Sequence, residues 1–164
     1  EQIIISNKQC DMKSYTKSYR MTKGFKQEMR ELPINSSIHC PQGGSTIKLD
    51  KDILKVRGEA HSGDGKPIIR VDVSIDGGKT WNEANILGEQ ETHRKTWSWT
   101  KWECDVDVKE LRKKGGDDVK LDIVCRAMDI SHNRQPSSCE PDLTFNPKGY
   151  SANPYHKISV NVEF

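Results

Sequence analysis

The chain has 164 residues, of which 33% are hydrophobic and 30% charged. Its 26 basic and 24 acidic residues leave a formal charge of +2, so there is no overall basic field for nucleic acid and no net charge of the kind that keeps a polar chain unfolded. No apolar run approaches the roughly 18 residues that a membrane-crossing helix needs.

The opening Glu1-Gln2-Ile3-Ile4-Ile5 starts as if inside a strand, so the chain is expected to be a piece of something longer. Lys8 to Lys26 is polar and basic, with Tyr15, Tyr19 and Phe25 spaced through it, and is read as an extended arm that Leu32-Pro33 closes. A β-rich region follows. Strands are expected over Ser36–Cys40, Thr46–Leu49 and Ile53–Ala60, with a turn at Pro41 to Ser45. Ile68 to Trp81 alternates: Ile69, Val71, Val73 and Ile75 are expected on a buried face, and Arg70, Asp72, Ser74 and Asp76 on a wet one. Asp76-Gly77-Gly78-Lys79 tolerates positive φ and turns the chain into a return strand opened by Thr80 and Trp81.

Trp97 to Val106 is a further strand candidate, which puts Trp97 and Trp99 on one face and Trp102 on the other. Lys109 to Lys114 is a polar helical turn stopped by Gly115-Gly116. Val119, Leu121, Ile123, Cys125 and Ala127 alternate again, and the final strand, His156 to Phe164, carries Ile158, Val160 and Val162 on one face. About seven short strands with almost no helix fit an all-β, immunoglobulin-like antiparallel sandwich of the E-set type, preceded by an extended N-terminal arm.

Candidate chemistry is sparse. Cys10, Cys40, Cys104, Cys125 and Cys139 form no C-x-x-C pair, which argues against a zinc site, and their odd number fits free thiols better than a disulfide framework. His39, His61, His93, His132 and His156 lack metal-ligand spacing. Neither a G-x-S-x-G elbow nor a P-loop is present, so no self-contained active site is expected. Trp97 and Trp99 are expected to pack at the sandwich edge; the alternative is an exposed platform for a sugar or a protein, flanked by Arg94, Lys95 and Lys101. The irregular, Asn-, Gly- and Pro-rich stretch from Phe145 to His156 is where a scaffold presents functional groups. Lys148 there is either an ordinary loop lysine or a cation offered to a small anion.

Four stretches in order carry a resemblance: V-R-G-E-A-H-S-G-D-G-K-P-I-I-R-V-D-V-S-I-D-G-G-K-T-W (56–81), R-K-T-W-S-W-T-K-W (94–102), I-V-C-R-A-M-D-I-S-H-N-R-Q-P (123–136) and F-N-P-K-G-Y-S-A-N-P-Y-H-K-I (145–158). Together they resemble the C-terminal dimerisation domain of sulfite oxidase and eukaryotic nitrate reductase over residues 32–164. Residues 1–31 resemble the tail of the preceding molybdenum-cofactor domain, with Lys23-Gly24-Phe25 similar to a family K-G-F. The resemblance implies an immunoglobulin-like sandwich that pairs as a homodimer, and a catalytic domain upstream that holds molybdopterin through a cysteine thiolate, with a haem domain possible further upstream. It implies that this chain alone binds no cofactor and is not catalytic, and it points to no nucleic acid and no membrane.

One family residue carries over. Sulfite oxidases read W-N-L-R-G where this chain reads F-N-P-K-G, so Lys148 stands where an arginine helps bind the sulfite or sulfate anion. Lysine keeps the charge and loses the planar fork. Nitrate reductases carry an uncharged residue there, so the lysine leans toward sulfite, with a nitrate reductase domain or a stand-alone binding module as alternatives. The residues do not fix a compartment: animal sulfite oxidases are mitochondrial and plant ones peroxisomal, and the resemblance favours the mitochondrial intermembrane space.

Overall fold

Two sheets face one another, and the residues that alternate in sequence supply the layer between them. The coordinates are a computed structural model that describes residues 5–8, 10–13, 31–88, 95–115, 118–138 and 149–164. Four strands build the first sheet: β1 (Asn35–Cys40), β3 (Ile53–His61), β6 (Asn85–Ile86) and β7 (Thr100–Asp107), in the order β1-β3-β7-β6. The second sheet contains β2 (Thr46–Lys48), β4 (Ile68–Ser74), β5 (Asn82–Glu83), β8 (Asp118–Asp129) and β9 (His156–Glu163), in the order β2-β9-β8-β4-β5. The sandwich is therefore the one expected. Its pairs are antiparallel except β2 with β9, which run parallel. Of the N-terminal arm, Ile5 is described and is exposed and outside any strand; Lys23, Gly24 and Phe25 lie outside the described residues.

The core follows the period-two pattern. Leu54 and Val56 from β3, and Trp102, Cys104 and Val106 from β7, meet Val71 and Val73 from β4, Leu121, Ile123 and Cys125 from β8, and Val160 and Val162 from β9. Gly58 sits opposite Trp102 in the β3–β7 register, and a Cβ there would collide with the Trp102 ring and the Ser37 carbonyl. That close approach is why the strand carries a glycine. A short helix α1 (Lys109–Gly115) follows β7, and its first turn is capped where Lys109 N donates to Asp107 Oδ1 at 2.8 Å.

Three local expectations need correction. Ile68 to Trp81 does not alternate without interruption. The β4–β8 register shifts between Ile68 and Arg70, so Ile68 is buried and Ile69 is 42% exposed. This is a β-bulge, in which one extra residue turns a side chain outward. The wet face is not wet either, since Asp72 and Ser74 are buried. The return strand begins at Asn82, after Thr80 and Trp81, because the turn is longer than two residues. Asp76 organises it by accepting from Lys79 N at 2.9 Å and Thr80 Oγ1 at 2.7 Å, with Gly77 and Gly78 at φ 77° and 99°.

The third correction concerns tryptophan. Strand β7 begins at Thr100, so Trp97 and Trp99 precede it. They are 74% and 48% exposed, whereas Trp102 is wholly buried. Edge packing is thus wrong for Trp97. Trp99 keeps a single ring neighbour among the described residues, His61, at 4.1 Å in an edge geometry.

Candidate functional site

Lys148 lies outside the described residues, as do Phe145, Asn146, Pro147, Arg94 and Cys139. The described chain resumes at Gly149, and the seven residues before β9 are held in place by buried polar groups. Gly149 and Ser151 adopt φ 64° and 57°, and Ala152 N closes a turn on the Gly149 carbonyl at 3.1 Å. Asn153 Nδ2 then donates to the Ile34 carbonyl at 2.8 Å, and Tyr155 N donates to the Pro136 carbonyl at 3.0 Å.

Gln135 joins these parts. Its Oε1 accepts from Ser36 Oγ at 2.6 Å and from Ala127 N at 3.0 Å; its Nε2 donates to the Pro154 carbonyl at 3.0 Å. One buried amide therefore ties β1, β8 and the Gly149–Tyr155 segment together, and each of its polar atoms is satisfied. Beside it lies a hollow of about 340 Å³ lined by Leu32, Pro33, Lys66, Asn133, Arg134 and Ser151. Here the start of the sandwich meets the loop that follows position 148.

A second feature was not singled out from sequence. Asp72 is only 5% exposed because two arginines cover it. Arg70 Nε donates to its Oδ1 at 2.7 Å, and Arg126 Nε donates to its Oδ2 at 2.9 Å. The Arg126 guanidinium lies 4.0 Å from the Trp81 ring centroid and 6.0 Å from that of Tyr155. Trp81 and Tyr155 meet edge to face at 5.7 Å. Partial burial opposes the Arg126 charge, but hydrogen bonds to Tyr155 and Asp72 outweigh it and hold the proton more firmly than in a free arginine. The groove they form encloses about 300 Å³ and is lined by Arg70, Asp72, Arg126, Met128, Arg134 and Tyr155. The sequence signal was present in part: Asp72 and Arg126 are register partners on adjacent strands. Seeing it needed the strand pairing.

The two buried thiols do not offer a metal seat. Burial pushes the Cys125 thiol up to about 12, against hydrogen bonds from Ser36 and the His156 backbone. Burial, and then the charge of Asp105, also raises Cys104. Both are neutral thiols at physiological pH, and a metal takes the thiolate. Among the described residues no three His, Cys, Asp or Glu side chains come together as a metal site.

The family model of the Mo-co oxidoreductase dimerisation domain matches residues 26–163. Mitochondrial sulfite oxidase of Rattus norvegicus is 41% identical over 134 residues, which cover 82% of this chain and 23% of that protein. The Homo sapiens enzyme is 37% identical over the same shares. Nitrate reductase (NADH) of Ulva prolifera is 33% identical over 139 residues, covering 82% of this chain and 15% of that protein. Among solved structures, the sulfane dehydrogenase SoxCD of Paracoccus pantotrophus superposes with a TM-score of 0.63 at 24% identity, over 90% of this chain and 36% of that one. That likeness is one of fold. The chain spans less than a quarter of the length of the sulfite oxidases it matches, at 23% of each.

Proposed function

Because the chain belongs to the family of Mo-co oxidoreductase dimerisation domains, we propose that it is the dimer-forming part of a mitochondrial sulfite-oxidising molybdenum enzyme. Likeness to sulfite oxidases across the sandwich, 41% identity over 134 residues, carries the reading. In this reading residues 1–31 are the tail of an upstream cofactor domain, and 32–164 form a module that pairs with its own copy across one shared patch. The molybdenum cofactor sits upstream, and no step of the oxidation is assigned to this chain. Lys148 contributes an auxiliary positive charge toward the sulfite or sulfate anion. The intermembrane space is the compartment. What supports the Lys148 role is its setting: the segment that follows it is clamped at Asn153, which donates to the Ile34 carbonyl, and at Pro154, whose carbonyl accepts from Gln135.

The test is the native protein. An antibody to this domain should detect, in mitochondrial fractions, a polypeptide several times larger than 18.7 kDa that contains molybdenum and oxidises sulfite. Lys148→Ala in that protein should raise KM for sulfite about tenfold and change kcat less, as expected when one charged contact to the anion is lost. A native polypeptide of 18.7 kDa would overturn the reading. The exposure of Trp97, 74%, would then favour a stand-alone binding module. Nitrate turnover without sulfite turnover would assign the chain to a nitrate reductase instead.

A further inference from the structure

We infer that the groove between β4, β8 and the segment before β9 binds a small tetrahedral oxyanion, of the sulfate or phosphate type, through Arg126, Arg70 and Arg134. The inference does not rest on Lys148 or on the identity of the enzyme's substrate.

Three guanidiniums and one carboxylate line the groove. The carboxylate, Asp72, is buried beneath them and takes the Nε of both Arg70 and Arg126. It fixes the two planar groups in orientation through one edge of each, while a guanidinium carries five donors in a rigid fork. Glu83 reaches Arg70 Nη1 at 3.5 Å from an exposed position, which is a loose contact in high dielectric. Arg134 brings a third cation from the loop after β8, with its Nε against Met128 Sδ at 3.4 Å.

The groove also excludes water from one side of its central donor. Trp81 covers a face of Arg126, and Tyr155 takes a hydrogen bond from the same guanidinium, which leaves the other donors of Arg126 to the groove. An ion bound there meets a cation that is already oriented and partly desolvated, so little side-chain entropy is lost on binding. A volume of about 300 Å³ takes a tetrahedral anion with part of its hydration shell. Forked donors from three chain positions match an anion with several equivalent oxygens better than they match a lone carboxylate.

The test is a titration of the 164-residue chain with sodium sulfate, and separately sodium phosphate, at ionic strength held constant with sodium chloride, followed by heteronuclear NMR. The expected result is saturating shifts confined to the Nε–H of Arg70, Arg126 and Arg134 and the indole N–H of Trp81, for at least one of the two anions. Arg134→Gln should weaken the apparent affinity about tenfold, as expected for a lost charge-assisted hydrogen bond. Its amide spectrum should stay native, because Arg134 is exposed. Shifts that rise linearly with salt, or saturating shifts that Arg134→Gln leaves unchanged, would overturn the inference.

Discussion

The backbone amide of Ile38 donates to Nδ1 of His156 at 3.0 Å, so an imidazole on one sheet satisfies an amide on the edge strand of the other. A nitrogen that accepts from an amide carries no proton, and the bond therefore exists only for neutral histidine. Burial, and then the nearby charge of His39, holds His156 below its ordinary 6.5. The folded pKa lies under the unfolded one. The stabilisation is thus complete above pH 6.5 and is lost as pH falls through the folded value. His156→Leu should cost about 1 kcal/mol at pH 7.5 by urea unfolding, the usual worth of one such hydrogen bond. The gap to the parent protein should close toward pH 5, and a gap that does not change with pH would refute the assignment. His61, lowered by burial against the opposing charge of Glu59, adds to the loss with the same sign.

Gly58 gives a steric prediction. Its missing Cβ is the space that the Trp102 ring and the Ser37 carbonyl occupy. Gly58→Ala must push either the core tryptophan or β1 aside, and overpacking of this kind costs about 3 kcal/mol. A urea midpoint within error of the parent would show that the ring has room to move.

Strands β3, β8 and β9 were legible because every second residue of each meets the core, even where Val124 of β8 is buried on the opposite face as well. The Asp76 turn and the helix at Lys109–Gly115 were legible because their signals are local. Asp72 was not, since its burial depends on Arg126, 54 residues away, and a strand pattern assigns it to solvent. Ile69 was misplaced because a bulge leaves no mark in hydrophobic periodicity. Trp97 and Trp99 were misplaced because extending the β7 pattern backward by three residues carried them into a strand that starts at Thr100. Gln135, a single glutamine in a loop, has no sequence signature at all. Its importance comes from partners in three separate parts of the chain.

The tryptophans should separate sharply on substitution. Trp102→Ala empties the centre of the core and should cost about 4 kcal/mol, as large aromatic truncations do. Trp102→Phe should cost much less, because the indole Nε1 has no hydrogen-bond partner among the described residues and its loss orphans nothing. Trp97→Ala should change the folded monomer's stability by less than about 0.5 kcal/mol, the usual surface value. A cost for Trp97→Ala that grows with protein concentration would instead place Trp97 in the contact between copies, since association energy adds to apparent stability only when the dimer forms.

Gln135 links stability to the proposed role of Lys148, and the two can be measured apart. Gln135→Leu is close in volume but leaves the Ala127 amide and the Pro154 carbonyl without their Gln135 partner, while Ser36 Oγ keeps its contact with Cys125 Sγ at 3.3 Å. Stranded buried groups should cost about 3 kcal/mol in all, with some relieved by entering water. Among the described residues Asn153→Ala breaks one side-chain bond, that to the Ile34 carbonyl at 2.8 Å, and should cost about 1 kcal/mol. Hydrogen exchange should then speed up selectively at Ala152 and Tyr155 in Asn153→Ala, while the amides of β3 and β7 keep their protection. If the segment positions Lys148 for an anion, the same Asn153→Ala change in the full-length enzyme should raise KM for sulfite and leave kcat near the parent value. Faster exchange with an unchanged KM would confine the clamp to stability and leave Lys148 an ordinary loop lysine.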